Sequence, residues 1–455
     1  GPYAPDWDSL MTRPLPAWYD EAKVGIFLHW GVYAVPAAGV PGKAGAEWYW
    51  WLLDEDADPT ITAYHERIYG DLKYPDLAPR FTAELFNATQ WAELFAASGA
   101  RYVVLTSKHH DGFANWCSEE AWNWNACDVG PQRDLVGELT AAVRTAALRM
   151  GLYHSIYDWF HPLYLEDRAN NYTTSRYVDE VYYPMALQLH DRYQPSVLWS
   201  DGDWDAQSAY WRSAELVAEL YNGRGAPDLV VNDRWGNDNP PIDSGEHFGG
   251  FFSGADRQQA KPALLQHKWE SAFTIDSETW GYDRRSTIGS YLSAEDVLYE
   301  VVSTVAYGGN VLINVGPTAD GRIAPVFEER LRALGSWLAA NGEGVYGTRP
   351  WRAQNDTAAH GVGEGVYYTA AADGAAVFAV AMAWPADGVL ALQQPRPRKG
   401  TTAQLLGVST GAGDLRWAPR TRGDGMDIKL PALSSVASEL PSPTGPWVIK
   451  LTGVA

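Results

Sequence analysis

The chain has 455 residues, 46% of them hydrophobic, enough for a large core and incompatible with a disordered protein. Lys+Arg 35 against Asp+Glu 56 give a formal charge of −21, a surface that repels polyanions, so neither nucleic acid nor an anionic membrane is expected as a partner. No apolar run reaches the roughly 18 residues that a membrane-spanning helix needs.

Strand-like apolar runs alternate with amphipathic helical runs over about the first 340 residues. Residues 24–28 form the first strand, after a helix. A helix over 87–98 leads into a strand at 102–105. Asp134 is placed to cap a helix whose apolar positions Leu135, Leu139, Val143, Ala146 and Met150 recur at helical spacing. Gly151 ends it, and a strand at 152–156 follows. A helix over 174–193 delivers the chain to a strand at 197–199, and another over 208–222 precedes a strand at 229–231. Ser293-Ala-Glu-Asp296 resembles a capping box opening a helix to about residue 307. A buried strand at 311–313 and a last helix over 325–340 complete the series.

This alternation predicts a parallel sheet. Polar groups follow nearly every strand: His29, Lys108 to Asp111, Asp158, Asp201, Asn232 to Arg234, and Asn314. Their convergence on one rim favours a closed (β/α)8-like barrel over an open, doubly wound sheet. After Asn341-Gly342-Glu343-Gly344 the pattern becomes short apolar or alternating runs at 366–370, 375–383, 389–393, 403–407 and 448–451, as in an antiparallel β-sandwich. The expected architecture is therefore an α/β chain, with a (β/α)8-like catalytic domain over 1–345 and a C-terminal antiparallel β-sandwich domain over 346–455. The two cysteines, Cys117 and Cys127, rule out a disulfide framework; a single pair and two free thiols both remain open. No leader is visible after Gly1-Pro2; a secreted or periplasmic location, with a leader removed, is the expectation.

The stretch Val197-Leu-Trp199-Ser-Asp201-Gly202-Asp203-Trp204 carries the most chemistry: a buried strand ends at a carboxylate flanked by tryptophans, the pairing that suits a sugar ring held against an ionised group. A capping aspartate in a tight turn would read the same way. His109-His110-Asp111 could by itself be a metal site.

Further motifs make the pattern specific. They are Trp18-Tyr-Asp20 with Lys23-Val-Gly-Ile-Phe-Leu-His29-Trp-Gly31, Glu47-Trp48-Tyr49, Thr106-Ser-Lys-His109-His110-Asp111-Gly-Phe113, and Trp122-Asn-Trp-Asn125 with Asp134-Leu135. Trp199-Ser-Asp201-Gly202, Asn232-Asp-Arg234-Trp-Gly236, Lys268-Trp-Glu270, Trp280-Gly-Tyr282 and Asn310-Val-Leu-Ile-Asn314-Val-Gly-Pro317 follow in order. With them the chain resembles glycoside hydrolase family 29, the retaining α-L-fucosidases. The animal lysosomal members are the most similar, through Trp159-Phe-His-Pro-Leu-Tyr164 and His247-x-Gly-Gly-Phe-Phe252.

The resemblance implies an exo-acting enzyme that removes terminal α-L-fucose from fucosylated oligosaccharides or glycoconjugates, without a cofactor or metal. It puts the nucleophile on Asp201. A second carboxyl group about 5–5.5 Å away must protonate the leaving oxygen and then activate water. Matching the animal members puts that role on Asp256; counting forward from Asn232 as in shorter bacterial members gives Glu246. Glu270, whose Lys-Trp-Glu motif reads as a strand end, is a third candidate. Substrate contacts carry over to His29, Glu47, Trp48, His109, His110, Tyr153, Trp199, Arg234 and Trp280. Strand alternation leaves open whether Tyr153 or His154 faces the site, and Arg234 has an alternative as a salt bridge to Asp233 or Asp201 that supports the rim. Two rival functions stay open at this point: a non-catalytic fucose-binding protein on the same fold, and a metal-dependent hydrolase using His109, His110 and Asp111. Assembly, a homo-oligomer included, is not readable from the sequence.

Overall fold

The structure, a computed structural model, describes residues 1–257, 264–356, 365–409, 411, 413–421, 423–442 and 444–455. Seven parallel strands form its first sheet: β1 (Val24–Leu28), β2 (Tyr102–Lys108), β3 (Arg149–Ser155), β4 (Val197–Asp201), β5 (Val230–Val231), β6 (Trp269–Thr274) and β7 (Gly309–Val315). They pair in the order β5-β4-β3-β2-β1-β7-β6. Apart from Arg149 every residue in them is buried, because helices cover the outside while side chains fill the inside.

The eighth place is filled by a segment too short to carry a periodicity. Phe251 N–H donates to Val231 O (2.9 Å), Phe252 N–H to Lys268 O (2.9 Å), and Glu270 N–H to Phe252 O (2.8 Å), so residues 250–252 bridge β5 to β6 and close the (β/α)8-like ring.

The helices start where their caps predict. Asn87 Oδ1 accepts from Gln90 N–H (3.0 Å), Asp134 Oδ1 from Gly137 N–H (2.8 Å), and Ser293 with Asp296 forms a full capping box on Ala294–Ala306. Two expected helices differ. Across 174–193 the helix widens into a π turn at Val178–Tyr182, just before Pro184, whose missing N–H breaks the regular ladder. Within 208–222 the α-helix covers only Ser213–Glu219: Ser208 is tied to Asp238, and Arg212 at φ +53° turns the chain first.

Beyond the last barrel helix, Pro325–Asn341, eight strands among the described residues form two antiparallel sheets. These are β8 (Thr348–Asn355), β9 (Val366–Ala371), β10 (Ala376–Ala381), β11 (Val389–Leu392), β12 (Pro397–Leu405), β13 (Arg416–Pro419), β14 (Met426–Lys429) and β15 (Trp447–Val454). The sheets are β12-β15-β10-β9-β8 and β11-β14-β13, and they share a core of Tyr368, Val377, Ala379, Leu392, Leu405, Ile428 and Ile449. Alternate residues of the larger sheet, Tyr367, Phe378, Val380 and Val448, pack instead into the core on the barrel side. Trp337 Nε1–H donates to Pro446 O across that junction (2.7 Å). Cys117 and Cys127 form a disulfide, Cα–Cα 5.1 Å, resolving what their spacing left open.

Candidate active site

The carboxyl ends of the strands surround a cavity of about 500 Å³. Strand alternation explains how it is furnished: Phe27 and His29 lie two apart at the end of β1, and Trp199 and Asp201 two apart on β4, so each pair faces inward. Gly202 then turns the chain away at φ +85°. A Cβ there would lie 2.3 Å from Tyr157 Cδ1, so only glycine lets the strand stop at Asp201 in this geometry.

Asp201 is held from two sides. Tyr153 Oη–H donates to Oδ2 at 2.8 Å, and Arg234 Nη1–H to Oδ1 at 2.9 Å. The other arm of the same guanidinium, Nη2, donates to Asp256 Oδ1, while Nε–H donates to Ser253 Oγ (3.1 Å) and the Arg234 Cζ sits 4.6 Å from the Trp199 ring centroid. Arg234 therefore ties both carboxylates together. Asp201 is nearly enclosed, with 11% of its side chain exposed, whereas Asp256 at the mouth has 47%.

His29 and His110 each present an acceptor nitrogen to the cavity. Asn314 Nδ2 donates to Trp280 O and Thr274 Oγ1, which turns its Oδ1 toward His29 Nδ1 (2.8 Å); His29 must donate there, leaving Nε2 with a lone pair. Ser155 Oγ–H donates to Tyr157 O, so Ser155 Oγ accepts from His110 Nδ1–H (2.6 Å), and His110 Nε2, 3.5 Å from Asp201 Oδ2, is likewise free to accept. Burial drives the pKa of His29 down to about 4, and those of His109 and His110 well below the usual histidine value. Glu47 accepts from Gly281 N–H (2.9 Å) and Trp280 N–H (3.1 Å); burial raises its pKa against those bonds. Acceptors for hydroxyl groups beside aromatic walls make a sugar-shaped chemistry.

The sequence of 1–343 matches the family model described as alpha-L-fucosidase, and 354–452 the model of the alpha-L-fucosidase C-terminal domain.

The chain belongs to the α-L-fucosidase family.

It is a glycoside hydrolase of family 29. It is 48% identical to an alpha-L-fucosidase of Branchiostoma floridae, over 99% of this chain and 96% of that protein, and 44% identical to the human tissue alpha-L-fucosidase, over 99% and 92%. A crystal structure of the Thermotoga maritima alpha-fucosidase in complex with a mechanism-based inhibitor superposes with a TM-score of 0.82 at 32% identity, covering 99% of this chain and 100% of that one.

Within this family fold, every expected substrate contact lines the one cavity: His29, Glu47, Trp48, His109, His110, Tyr153, Trp199, Arg234 and Trp280, together with Asp201 and Asp256. Tyr153, not His154, faces the site; His154 turns outward, its Nδ1 bonded to Ser107 and its ring stacked on Tyr182. Arg234 pairs with Asp201 and Asp256, not with Asp233.

Two alternative acids do not reach the cavity. Glu246 is exposed on the following loop and is absent from the lining. Glu270 is the second residue of β6, at the start of the strand rather than its end, so it lies deep under the site. There it accepts from Tyr102 Oη–H (2.6 Å), Tyr19 Oη–H (2.7 Å) and Trp199 Nε1–H (2.9 Å); burial raises its pKa and these three donors oppose the rise. The metal-ligand trio does not converge either. Asp111 turns to Tyr74 Oη–H (2.6 Å), and among the described residues no group of three His, Cys, Asp or Glu side chains could hold a metal ion.

Trp204, one of the two tryptophans that flank Asp201 in the sequence, lines the cavity too, and beside it stand residues the sequence reading passed over: Phe27, Lys43, Trp51 and Arg257. Phe27 was readable from its i, i+2 relation to His29, and Trp51 from its helical spacing to Trp48. Lys43 and Arg257 carried no local signal.

Proposed function

We propose that this enzyme is an exo-acting retaining α-L-fucosidase that works on fucosylated oligosaccharides or glycoconjugates through a fucosyl-Asp201 intermediate. The observation that carries the reading is the single guanidinium of Arg234 shared by an enclosed carboxylate and a rim carboxylate, Asp201 and Asp256. That arrangement suits the spacing of about 5–5.5 Å that double displacement requires.

In the first step an Asp201 oxygen bonds to the anomeric carbon as the glycosidic bond breaks, and Asp256 gives its proton to the departing oxygen. In the second, the Asp256 carboxylate takes a proton from water, which attacks the same carbon and releases Asp201. His29 and His110 offer lone pairs to the sugar hydroxyls, and Phe27, Trp48 and Trp280 form the walls. We place the boundary between the catalytic and C-terminal domains at 345/346, between the last barrel helix and β8.

The test is Asp201→Gly with an activated aryl α-L-fucoside. Turnover should fall by several orders of magnitude and return in part with azide, giving β-fucosyl azide; near-normal turnover in that variant would refute the assignment. Asp256→Ala should slow poor leaving groups far more than activated ones, and equal loss on both would remove Asp256 from the acid role.

A further inference from the structure

Carboxylates outnumber cations by 21 in this chain, and most arginines near them are paired. Arg133, Arg212 and Arg285, for example, each meet an acidic side chain. Arg13 and Arg144 lack an ion pair but donate to backbone carbonyls instead. Arg257 does neither. Among the described residues its guanidinium has no hydrogen-bond acceptor and no carboxylate at ion-pair distance, and its Nε is buried without a partner. A buried donor left in that state costs about 1–3 kcal/mol.

Its position is specific. Arg257 lines the cavity mouth, with its Cζ 5.3 Å from the Trp280 ring centroid, next in the chain to Asp256. Its backbone lies at φ +55°, a left-handed conformation that a non-glycine residue adopts at a cost of about 1 kcal/mol or more, and its N–H is anchored on Ala272 O (3.0 Å). This turn brings to the same mouth a carboxylate and a cation that has no partner among the described residues. The other cations in the lining are already paired, Lys43 with Asp56 and Asp58 and Arg234 with Asp201 and Asp256. Glu47 and Asp276 lie within range of the Arg257 field without pairing to it.

On the fucosidase reading the fucosyl ring takes the floor at Asp201, which assigns the mouth, where Arg257 stands, to the group that leaves. A planar guanidinium fork on an aromatic face is matched best by a two-oxygen anion. We infer that Arg257 is a specificity-determining residue, and that the preferred leaving residue carries an anionic group, a carboxylate or a sulfate. The inference rests on the fucosidase reading above and extends it to the leaving-group side.

The experiment compares 3-carboxyphenyl with 3-carbamoylphenyl α-L-fucoside in wild type, Arg257→Met and Arg257→Lys, reading the ratio of the two kcat/KM values. Intrinsic leaving-group differences cancel when the wild-type ratio is divided by that of a variant. The quotient for Arg257→Met should be on the order of tenfold, the size of one charge-assisted contact, and mainly in KM. Arg257→Lys should keep part of the preference, which preserves the test if the methionine variant folds poorly. A quotient within about twofold of unity for both variants overturns the inference while leaving the fucosidase reading intact. If wild type turns over neither compound, that reading fails, and the inference with it.

Discussion

Replacing Glu270 should damage this enzyme through its frame rather than through proton transfer. The carboxylate is fully buried and accepts from Tyr19, Tyr102 and Trp199 at 2.7, 2.6 and 2.9 Å. Glu270→Ala leaves three buried donors without acceptors, each worth about 1–3 kcal/mol. The sum, on the order of 3–9 kcal/mol, is comparable with the roughly 5–15 kcal/mol that holds a whole domain folded. Glu270→Gln keeps the volume and one acceptor oxygen, so a loss of about 1–3 kcal/mol is expected. Trp199 is the ring under Arg234, so a loosened indole should shift the guanidinium and slow all substrates alike. Urea denaturation of both variants, with kcat/KM measured on aryl fucosides of graded leaving-group acidity, checks this. Normal stability in the glutamine variant, combined with selective loss on poor leaving groups, would refute the reasoning and restore Glu270 as an acid.

Gly202→Ala should cost on the order of 100-fold in turnover, because a Cβ 2.3 Å from Tyr157 at φ +85° must displace Asp201 or the ring; unchanged kinetics would show that the turn adapts. His247 Nδ1 faces the Pro240 carbonyl and Nε2 faces Asp233 Oδ2 (2.7 Å), with Asn239 Nδ2, which donates to Asp233 O and Phe248 O, farther off at 3.5 Å; burial lowers its pKa, but the bonds to Asp233 and Pro240 and the Asp233 charge outweigh that and raise it. A raised folded-state pKa means that the stabilisation is fully present below about pH 6.5. It is lost as pH rises through the folded value. The stability gap between wild type and His247→Gln should therefore shrink from pH 6 to above pH 8, and a constant or growing gap contradicts the pairing. Replacing Cys117 and Cys127 together by serine should lower stability by about 2–3 kcal/mol through the freed loop, with turnover retained because neither residue lines the cavity. An unchanged denaturation midpoint would rule that out.

How much of the site could be read in advance depended on whether a residue's neighbours in the chain were also its neighbours in space. Asp201 closes its strand, and His29, the pair His109-His110 and Arg234 stand just beyond theirs, where a parallel barrel collects its chemistry, so local patterning and motif order located them together. Glu270 misled because Lys-Trp-Glu looks like the close of a strand, yet β6 begins there; only the pairing of Glu270 with Asn310 of β7 sets its depth. The eighth stave, residues 250–252, escaped because its partners lie in β5 and β6 and three residues carry no period.

Most of the barrel's strands, helices and caps, the barrel followed by a sandwich, and the resemblance to the family were legible in the sequence alone, since each rests on periodicities and motifs a few residues long, whereas β6, residues 250–252 and several short strands of the C-terminal sheets were not. The tertiary structure decided which carboxylates share a guanidinium, which histidine nitrogens are left as acceptors, and that Arg257 stands at the mouth with no partner for its guanidinium among the described residues. Those outcomes depend on contacts between segments far apart in the chain, at distances of a few ångströms, where hydrogen-bond geometry and burial rather than local spacing set the chemistry.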